Sequence, residues 1–229
     1  MAASPARALI VTAMAEELAA FAGRALPPGV LTASTGEGPK KAALGAAALC
    51  DLHRPALLVG AGVAGALSPD LAVGEILVSR RVLDAAGDAP PPDAALAGRA
   101  AAMPGTREAA FFTSDRMLVA ASEKTALAAR LNEEPAAVDM ESAAWARAAA
   151  ARGIPYVVVR AVHDTATEDL PDYLARCFDA ERGISRARVI FSALGRPGSV
   201  PRLLAMRRRV RECGERLAAF VAAFVAKSV

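Results

Sequence analysis

Aromatic side chains make up only 4% of this chain, tryptophan occurs once, and histidine occurs twice, at His53 and His163. The cysteines, Cys50, Cys177 and Cys213, are odd in number and widely spaced, with no CxxC pair. That usage argues against a disulfide framework and against a zinc site, so neither a metal nor a cofactor is expected. Long apolar runs are also missing. The longest uncharged stretch, residues 55–69, holds three glycines and falls short of the roughly 20 residues a membrane helix requires. Arg7 followed by the apolar residues 8–15 has the outline of a signal peptide, but Glu16 and Glu17 end the run. It reads better as a first strand, and the expectation is a cytoplasmic protein. A dominant charge is absent too, the net charge being +3. Arg202, Arg207, Arg208, Arg209 and Arg211 cluster late with no aromatic among them, which favours a solvated helix face over nucleic-acid binding.

What is present is a chain of 229 residues, 54% apolar, in which Val, Leu and Ala replace the missing aromatics. No Gly, Ser or charge run divides it, so residues 1–229 read as a single domain. Short apolar runs at residues 8–12, 30–34, 56–60, 76–79, 109–113, 136–139 and 156–162 read as buried strands. Ala-rich stretches at 15–26, 39–52, 122–131 and 141–152 have helical length. The alternation predicts an α/β fold, a mixed central sheet flanked by helices and largely parallel in its first half. Residues 84–107 read as a loop with one short helix. From Val200 onward, Leu203, Met206, Val210, Cys213, Leu217, Phe220 and Phe224 recur at spacings of three and four, a long amphipathic helix over about 199–227. Its ordinary reading is a helix packed on the sheet or on a partner subunit. The arginine cluster keeps open a second, peripheral association with a membrane surface such as the inner membrane.

Sheets of this kind bind ligands beyond the carboxyl ends of their strands. Four such places together resemble the nucleoside phosphorylase and nucleosidase superfamily, especially its methylthioadenosine/S-adenosylhomocysteine nucleosidase branch. They are Ala13-Met14-Ala15-Glu16-Glu17, then Gly62-Val63-Ala64-Gly65-Ala66-Leu67 with Val73-Gly74-Glu75-Ile76, then Val138-Asp139-Met140-Glu141-Ser142, and Val159-Arg160-Ala161-Val162-His163-Asp164. Their order and spacing are more specific than any one of them.

The resemblance implies a phosphorylase/hydrolase-like fold and an enzyme that breaks the N-glycosidic bond of a purine nucleoside. Cleaving that bond gives the sugar oxocarbenium character and leaves negative charge on the base, so an acid must meet the base. By resemblance Asp164 is that acid, with a pKa raised in an apolar pocket, and Glu17 is the base that activates water. Glu141 accepts the ribose hydroxyls with Met140 packed beside it, while Val63, Ala64 and Gly65 border the substrate. Met117 covers the purine and the Leu118 backbone reads its edge. Each has an ordinary alternative: Asp164 as a turn carboxylate, Glu141 as a helix-dipole partner behind an Asp139 cap, Glu17 as a solvent-facing helix residue. Gly36-Glu37-Gly38 before a helix with Lys40 and Lys41 could cradle an anion or simply turn the chain.

The sequence departs from the family at Val63, where a serine is common, and at Met117, where an aromatic is expected. The glycine-rich segment 60–66 carries no arginine for phosphate, which favours water as nucleophile. Asp139-Met140-Glu141-Ser142, Thr113-Ser114-Asp115-Arg116, Glu123-Lys124 before Leu127-Ala128-Ala129-Arg130, and the Arg-rich terminal helix resemble the hopanoid-associated subgroup, which implies release of adenine from adenosylhopane. The expected partner is a small-molecule nucleoside and the expected assembly a homodimer. A phosphate-dependent phosphorylase and a non-catalytic nucleoside-binding module are the rival readings, and the role of His163 stays open.

Overall fold

The structure, a computed structural model, describes residues 5–179, 183–184, 189, 192 and 200–229. Its main sheet contains β1 (Ala8–Thr12), β2 (Val30–Ser34), β3 (Leu58–Ala66), β4 (Ile76–Asp84), β5 (Gly87–Asp88), β6 (Thr106–Thr113), β7 (Ala136–Asp139) and β8 (Tyr156–Asp164). The helices are α1 (Ala15–Ala19), α2 (Pro39–His53), α3 (Ala94–Ala101), α4 (Ala121–Leu131), α5 (Ser142–Ala150), α6 (Tyr173–Cys177) and α7 (Val200–Ala226). A small antiparallel pair, β9 (Phe178–Asp179) and β10 (Gly183–Ile184), lies outside the main sheet.

The first half is parallel: β1 pairs with β2 in the register Ala8 to Val30 and with β3 through Leu9 and Leu58. The rest is mixed. β3 runs parallel to β8 and antiparallel to β7, β8 runs antiparallel to β4, and β4–β6 and β6–β7 are parallel. These pairings join β3, β8, β4, β6 and β7 into a closed circuit. Every residue of β1 is buried, as a strand covered on both faces requires.

One side of the sheet packs on α2 and α5, where Ala42, Ala46, Cys50 and Trp145 meet Leu9, Val11 and Val158. On the other, Cys213, Leu217, Val221 and Phe224 of α7, with Leu96 and Ala97 of α3, cover Ile10, Val59 and Val157. Alanine at so many of these positions lets helices approach closely. At Gly60 even a Cβ would stand 2.5 Å from the Trp145 ring, so the strand must be bare there.

Several boundaries differ from expectation. The first helix ends at Ala19 because the chain then closes three-residue turns, Phe21 to Leu18 and Ala22 to Ala19, and Gly23 turns with φ 77°. β3, β4 and β8 run longer than their apolar cores, and residues 61–66 are strand rather than turn. Residues 84–107 hold the short β5 hairpin and α3, whose N-cap Asp93 accepts the Leu96 amide at 2.9 Å. Position 199, the first expected residue of the terminal helix, lies outside the described residues.

Candidate active site

Residues near the carboxyl ends of β1, β3, β7 and β8 converge on one buried guanidinium. Arg160 is 1% exposed, in the middle of the apolar run 157–162. Its Nε lies 3.2 Å from Asp139 Oδ2, its Nη2 3.0 Å from Ser142 Oγ and 3.4 Å from Glu141 Oε2, and its Nη1 3.3 Å from the Val63 carbonyl. The guanidinium also stacks 4.7 Å from the centre of the Trp145 ring. A charge so buried is tolerated only because each of its nitrogens is engaged.

Glu17 reaches the same place from α1. Its Oε2 accepts the amides of Ala13 and Met14 at 3.1 and 3.0 Å, and its Oε1 accepts the Val63 amide at 3.0 Å. Burial raises its pKa, and Arg160 opposes the rise. Glu141 Oε1 accepts the Gly38 amide at 2.9 Å. Burial, with Arg160 opposing and Asp139 and Glu17 adding repulsion, pushes Glu141 up to about 7. The anion at the Gly36-Glu37-Gly38 turn is therefore the protein's own carboxylate. Asp139 Oδ1 accepts the amides of Glu141 and Ser142, both at 3.1 Å, and the Thr113 hydroxyl at 2.9 Å, which fixes the start of α5. Glu141 thus both begins a helix and faces the guanidinium.

Asp164 closes the other end. Lys124 of α4, fully buried, bonds its Oδ2 and donates to the carbonyls of Thr165 and Glu168 at 2.9 Å each. His163 Nδ1 lies 2.7 Å from Oδ1, without the alignment of a true hydrogen bond. Burial pushes the Asp164 carboxyl up, but His163 and then Lys124 outweigh it and hold the group at about 2. The raised pKa expected for Asp164 is therefore overturned: desolvation is present, yet two cations stand against the carboxylate.

The remaining expected residues divide. Val63 serves through its backbone, which meets both Glu17 and Arg160, while its side chain packs among the core residues beneath α7. The Ala64 carbonyl lies 3.4 Å from His163 Nδ1, and Gly65 lets Asp164 approach so closely that a Cβ there would stand 3.1 Å from its carboxylate. Met140 is half-buried between Asp139 and Glu141. Met117 packs with Leu170, Tyr173 and Leu174, and Leu118 packs separately against the Leu67 and Phe112 cluster. They flank α4 and are not drawn into the carboxylate network.

Sequence reading gave no role to Arg160 or Lys124. Each carried a signal: an arginine inside an apolar strand, and a lysine three residues before Leu127 on the buried face of α4. Among the described residues no three His, Cys, Asp or Glu side chains are grouped to hold a metal ion.

Over 180 residues the chain is 27% identical to a 5′-methylthioadenosine/S-adenosylhomocysteine nucleosidase of Listeria monocytogenes serotype 4a, covering 65% of this chain and 74% of that one. Among solved structures, the nucleosidase of the same name from Helicobacter pylori superposes with TM-score 0.73 at 17% identity, covering 98% of this chain and all of the other. Futalosine hydrolase of Helicobacter pylori superposes with TM-score 0.72 at 18% identity, covering 97% and 98%. The sequence pattern of the phosphorylase superfamily matches residues 28–194, most of the described sheet and the three acids Asp139, Glu141 and Asp164, and the chain belongs to that superfamily.

Proposed function

We propose that this protein is a nucleosidase, hydrolysing the N-glycosidic bond of a purine nucleoside modified at its 5′ position and releasing adenine. The observation that carries the reading is the arrangement along β3. Gly62 abuts Arg160 and Glu17, and Gly65 abuts Asp164. The two glycines stand three residues apart on β3, an advance of roughly 10 Å along the strand. Glu17 and Glu141 stand at the sugar end, one to take a proton from water and one to accept the ribose diol. Asp164 and its partners stand at the base end, where the leaving purine gains a proton.

Water is favoured over phosphate because the available cations are already committed. Arg160 is sealed and bonded to the site's own carboxylates and carbonyl, and the turn at Gly38 holds Glu141. The two Helicobacter pylori structures and the Listeria relative carry names of nucleoside hydrolases, which is consistent with that reading.

For the 5′ group we propose that of adenosylhopane, the substrate implied by the resemblance to the hopanoid-associated subgroup. Supporting it, α7 turns outward an exposed Leu204 with Arg207, and with Arg208 and Arg211, which pair with Glu212 and Glu215 at 3.3 and 3.8 Å, a face that can meet the surface of an anionic membrane where such a lipid resides. No helix among the described residues is long and apolar enough to cross a membrane.

The test is adenine release from methylthioadenosine, S-adenosylhomocysteine, adenosine and adenosylhopane, with and without phosphate. Phosphate-independent release with a free sugar product is expected, with adenosylhopane preferred. Release only with phosphate, giving ribose 1-phosphate, would establish a phosphorylase, and no release from any of the four would leave a binding module.

A further inference from the structure

β8 ends on Asp164, and its last two residues are held differently from the rest. From Val159 to Ala161 the strand is flanked by β3 on one side and by antiparallel β4 on the other, but at His163 and Asp164 the main sheet supplies β3 alone. The register with β3 also slips there. Ala64 opposes Val162 and Gly65 opposes Asp164, so His163 is the extra residue of a bulge. A bulged strand end with one neighbour has few contacts of its own to fix it, and the carboxylate proposed to meet the leaving base stands on it.

Helix α7 supplies what the sheet does not. Cys213 and Arg209, one turn apart on its inner face, reach consecutive carbonyls of β8: the Cys213 thiol donates to Val162 at 3.3 Å, and Arg209 Nη1 donates to His163 at 3.2 Å. The same nitrogen donates to Glu168 Oε2 at 2.7 Å and to Oε1 at 3.0 Å. Arg209 therefore ties the residue before Asp164 to the turn that follows it. Lys124 holds that turn from the other side, through the carbonyls of Thr165 and Glu168. Arg209 belongs to the arginine cluster that the sequence presents as a solvated face, and Arg207, Arg208 and Arg211 are exposed in keeping with it. Arg209 is the exception, its side chain 33% exposed and bonded to the end of β8. An exposed ion pair stabilises by only about 0–1 kcal/mol, and a cation that also grips a main-chain carbonyl next to the acid does more than pair with Glu168.

We propose that Arg209 is a positioning residue for base release: by holding the His163 carbonyl and the Glu168 carboxylate together it fixes the end of β8, and with it the direction in which Asp164 meets the leaving base. The inference rests on the nucleosidase reading and adds to it a residue that touches no substrate. Arg209 moves no proton and forms no bond to the nucleoside. Its effect is geometric, and a reacting group displaced by about 1 Å can lose roughly 100-fold in rate. Substrate affinity depends mainly on the ribose contacts at the other end of the site, around Glu141, so loss of Arg209 should appear in kcat and leave KM nearly unchanged.

The experiment compares wild type, Arg209→Ala and Glu168→Gln by thermal melts and by kcat and KM on an adenine nucleoside and on 4-nitrophenyl riboside, whose leaving group needs no proton. Arg209→Ala is expected to lose about 10- to 100-fold in kcat on the nucleoside, with KM within about threefold of wild type. On the nitrophenyl riboside the loss should shrink to a few-fold, because no acid is required there. The Arg209 side chain is one-third exposed, so its removal leaves a slot open to solvent, and guanidinium ion well below denaturing concentrations should restore part of the lost rate. Glu168→Gln removes the charge that anchors Arg209 but no part of α7. It should show the same pattern at smaller size, and it carries the test if Arg209→Ala does not fold. A nucleoside kcat within about threefold of wild type in Arg209→Ala overturns the inference while leaving the nucleosidase reading intact. Equal losses on the two substrates overturn it as well, as does absence of guanidinium rescue where the riboside is not turned over, since each marks a helix staple without influence on the acid. Failure of the wild type to release any base would sink both.

Discussion

Gly62 passes so close to Arg160 that a Cβ on its backbone would stand 2.2 Å from Nη1, with Glu17 Oε1 at 2.9 Å. Gly62→Ala must therefore displace the guanidinium, the carboxylate or the strand. Overpacking of this kind costs about 1–3 kcal/mol, and base release should fall at least tenfold. Gly98→Ala in α3, where a Cβ meets nothing within 4 Å, should leave activity unchanged and add roughly 0.5–1 kcal/mol of stability. Thermal melts and initial rates on the pair check both directions.

Glu17 and Glu141 should separate in steady-state kinetics. Glu17→Gln is expected to lower kcat by about 100- to 10,000-fold with little change in KM, as removal of a general base should. Both Glu17 oxygens accept backbone amides, and a glutamine offers only one acceptor, so a stability loss of about 1–3 kcal/mol should accompany it. Glu141→Gln should raise KM more than it lowers kcat, because the task proposed for it is to hold the ribose diol. The reverse pattern would exchange the two roles.

Activity should rise with pH toward neutrality. Glu17 and Glu141 act as carboxylates, and both are raised, Glu141 to about 7, by burial that Arg160 only partly offsets. Raised carboxylates are protonated at low pH, so the acid limb of kcat/KM should lie well above the ordinary glutamate value. A profile from about pH 5 to about pH 9 measures it, and a limb near 4.5 would contradict the buried cluster.

The buried pair of Lys124 and Asp164 should appear in stability. Asp164 is held at about 2, below its ordinary 3.8, so its contribution is present above the unfolded pKa and is lost as pH falls through about 2. That shift, to which His163 contributes first and Lys124 second, corresponds to roughly 2 kcal/mol. Lys124→Met leaves the buried Asp164 carboxylate with His163 alone beside it and should cost up to about 3–5 kcal/mol. Adding Asp164→Asn to it should cost much less than the sum of the two single changes. Urea melts of the four proteins complete the cycle, and simple additivity would show that the pair is uncoupled.

Much of this architecture was legible in the sequence, and where legibility stopped has physical reasons. β1, β2 and β7 begin and end where their apolar runs do, because turns and charge bound them sharply. β3 and β8 outran theirs, since glycines and a charged residue can continue a strand once neighbours on both sides pair with it. The acids at 17, 141 and 164 were singled out by the resemblance of their motifs to the superfamily, since an ordinary helix or turn carboxylate accounts for each position taken alone. Arg160 and Lys124 were not, because their significance lies in what surrounds them. The same holds for the low pKa of Asp164: its apolar setting could be read from residues 157–162, but the lysine forty positions earlier could not be placed beside it.

The closed circuit of β3, β8, β4, β6 and β7 has a further consequence, for how this molecule meets its neighbours. A circuit has no rim, so among the described strands of the main sheet only β2 and the two-residue β5 present an unpaired flank. β2 is the longer, and its Leu31 is turned partly to solvent. An unpaired strand flank is a template for another chain's backbone. A peptide stitched onto β2 would run alongside Ser34, four residues from the Gly38 amide that grips Glu141. Aggregation and any strand-swapped assembly at β2 would therefore start next to Glu141, the carboxylate proposed to hold the ribose, so solubility and affinity for the nucleoside should change together.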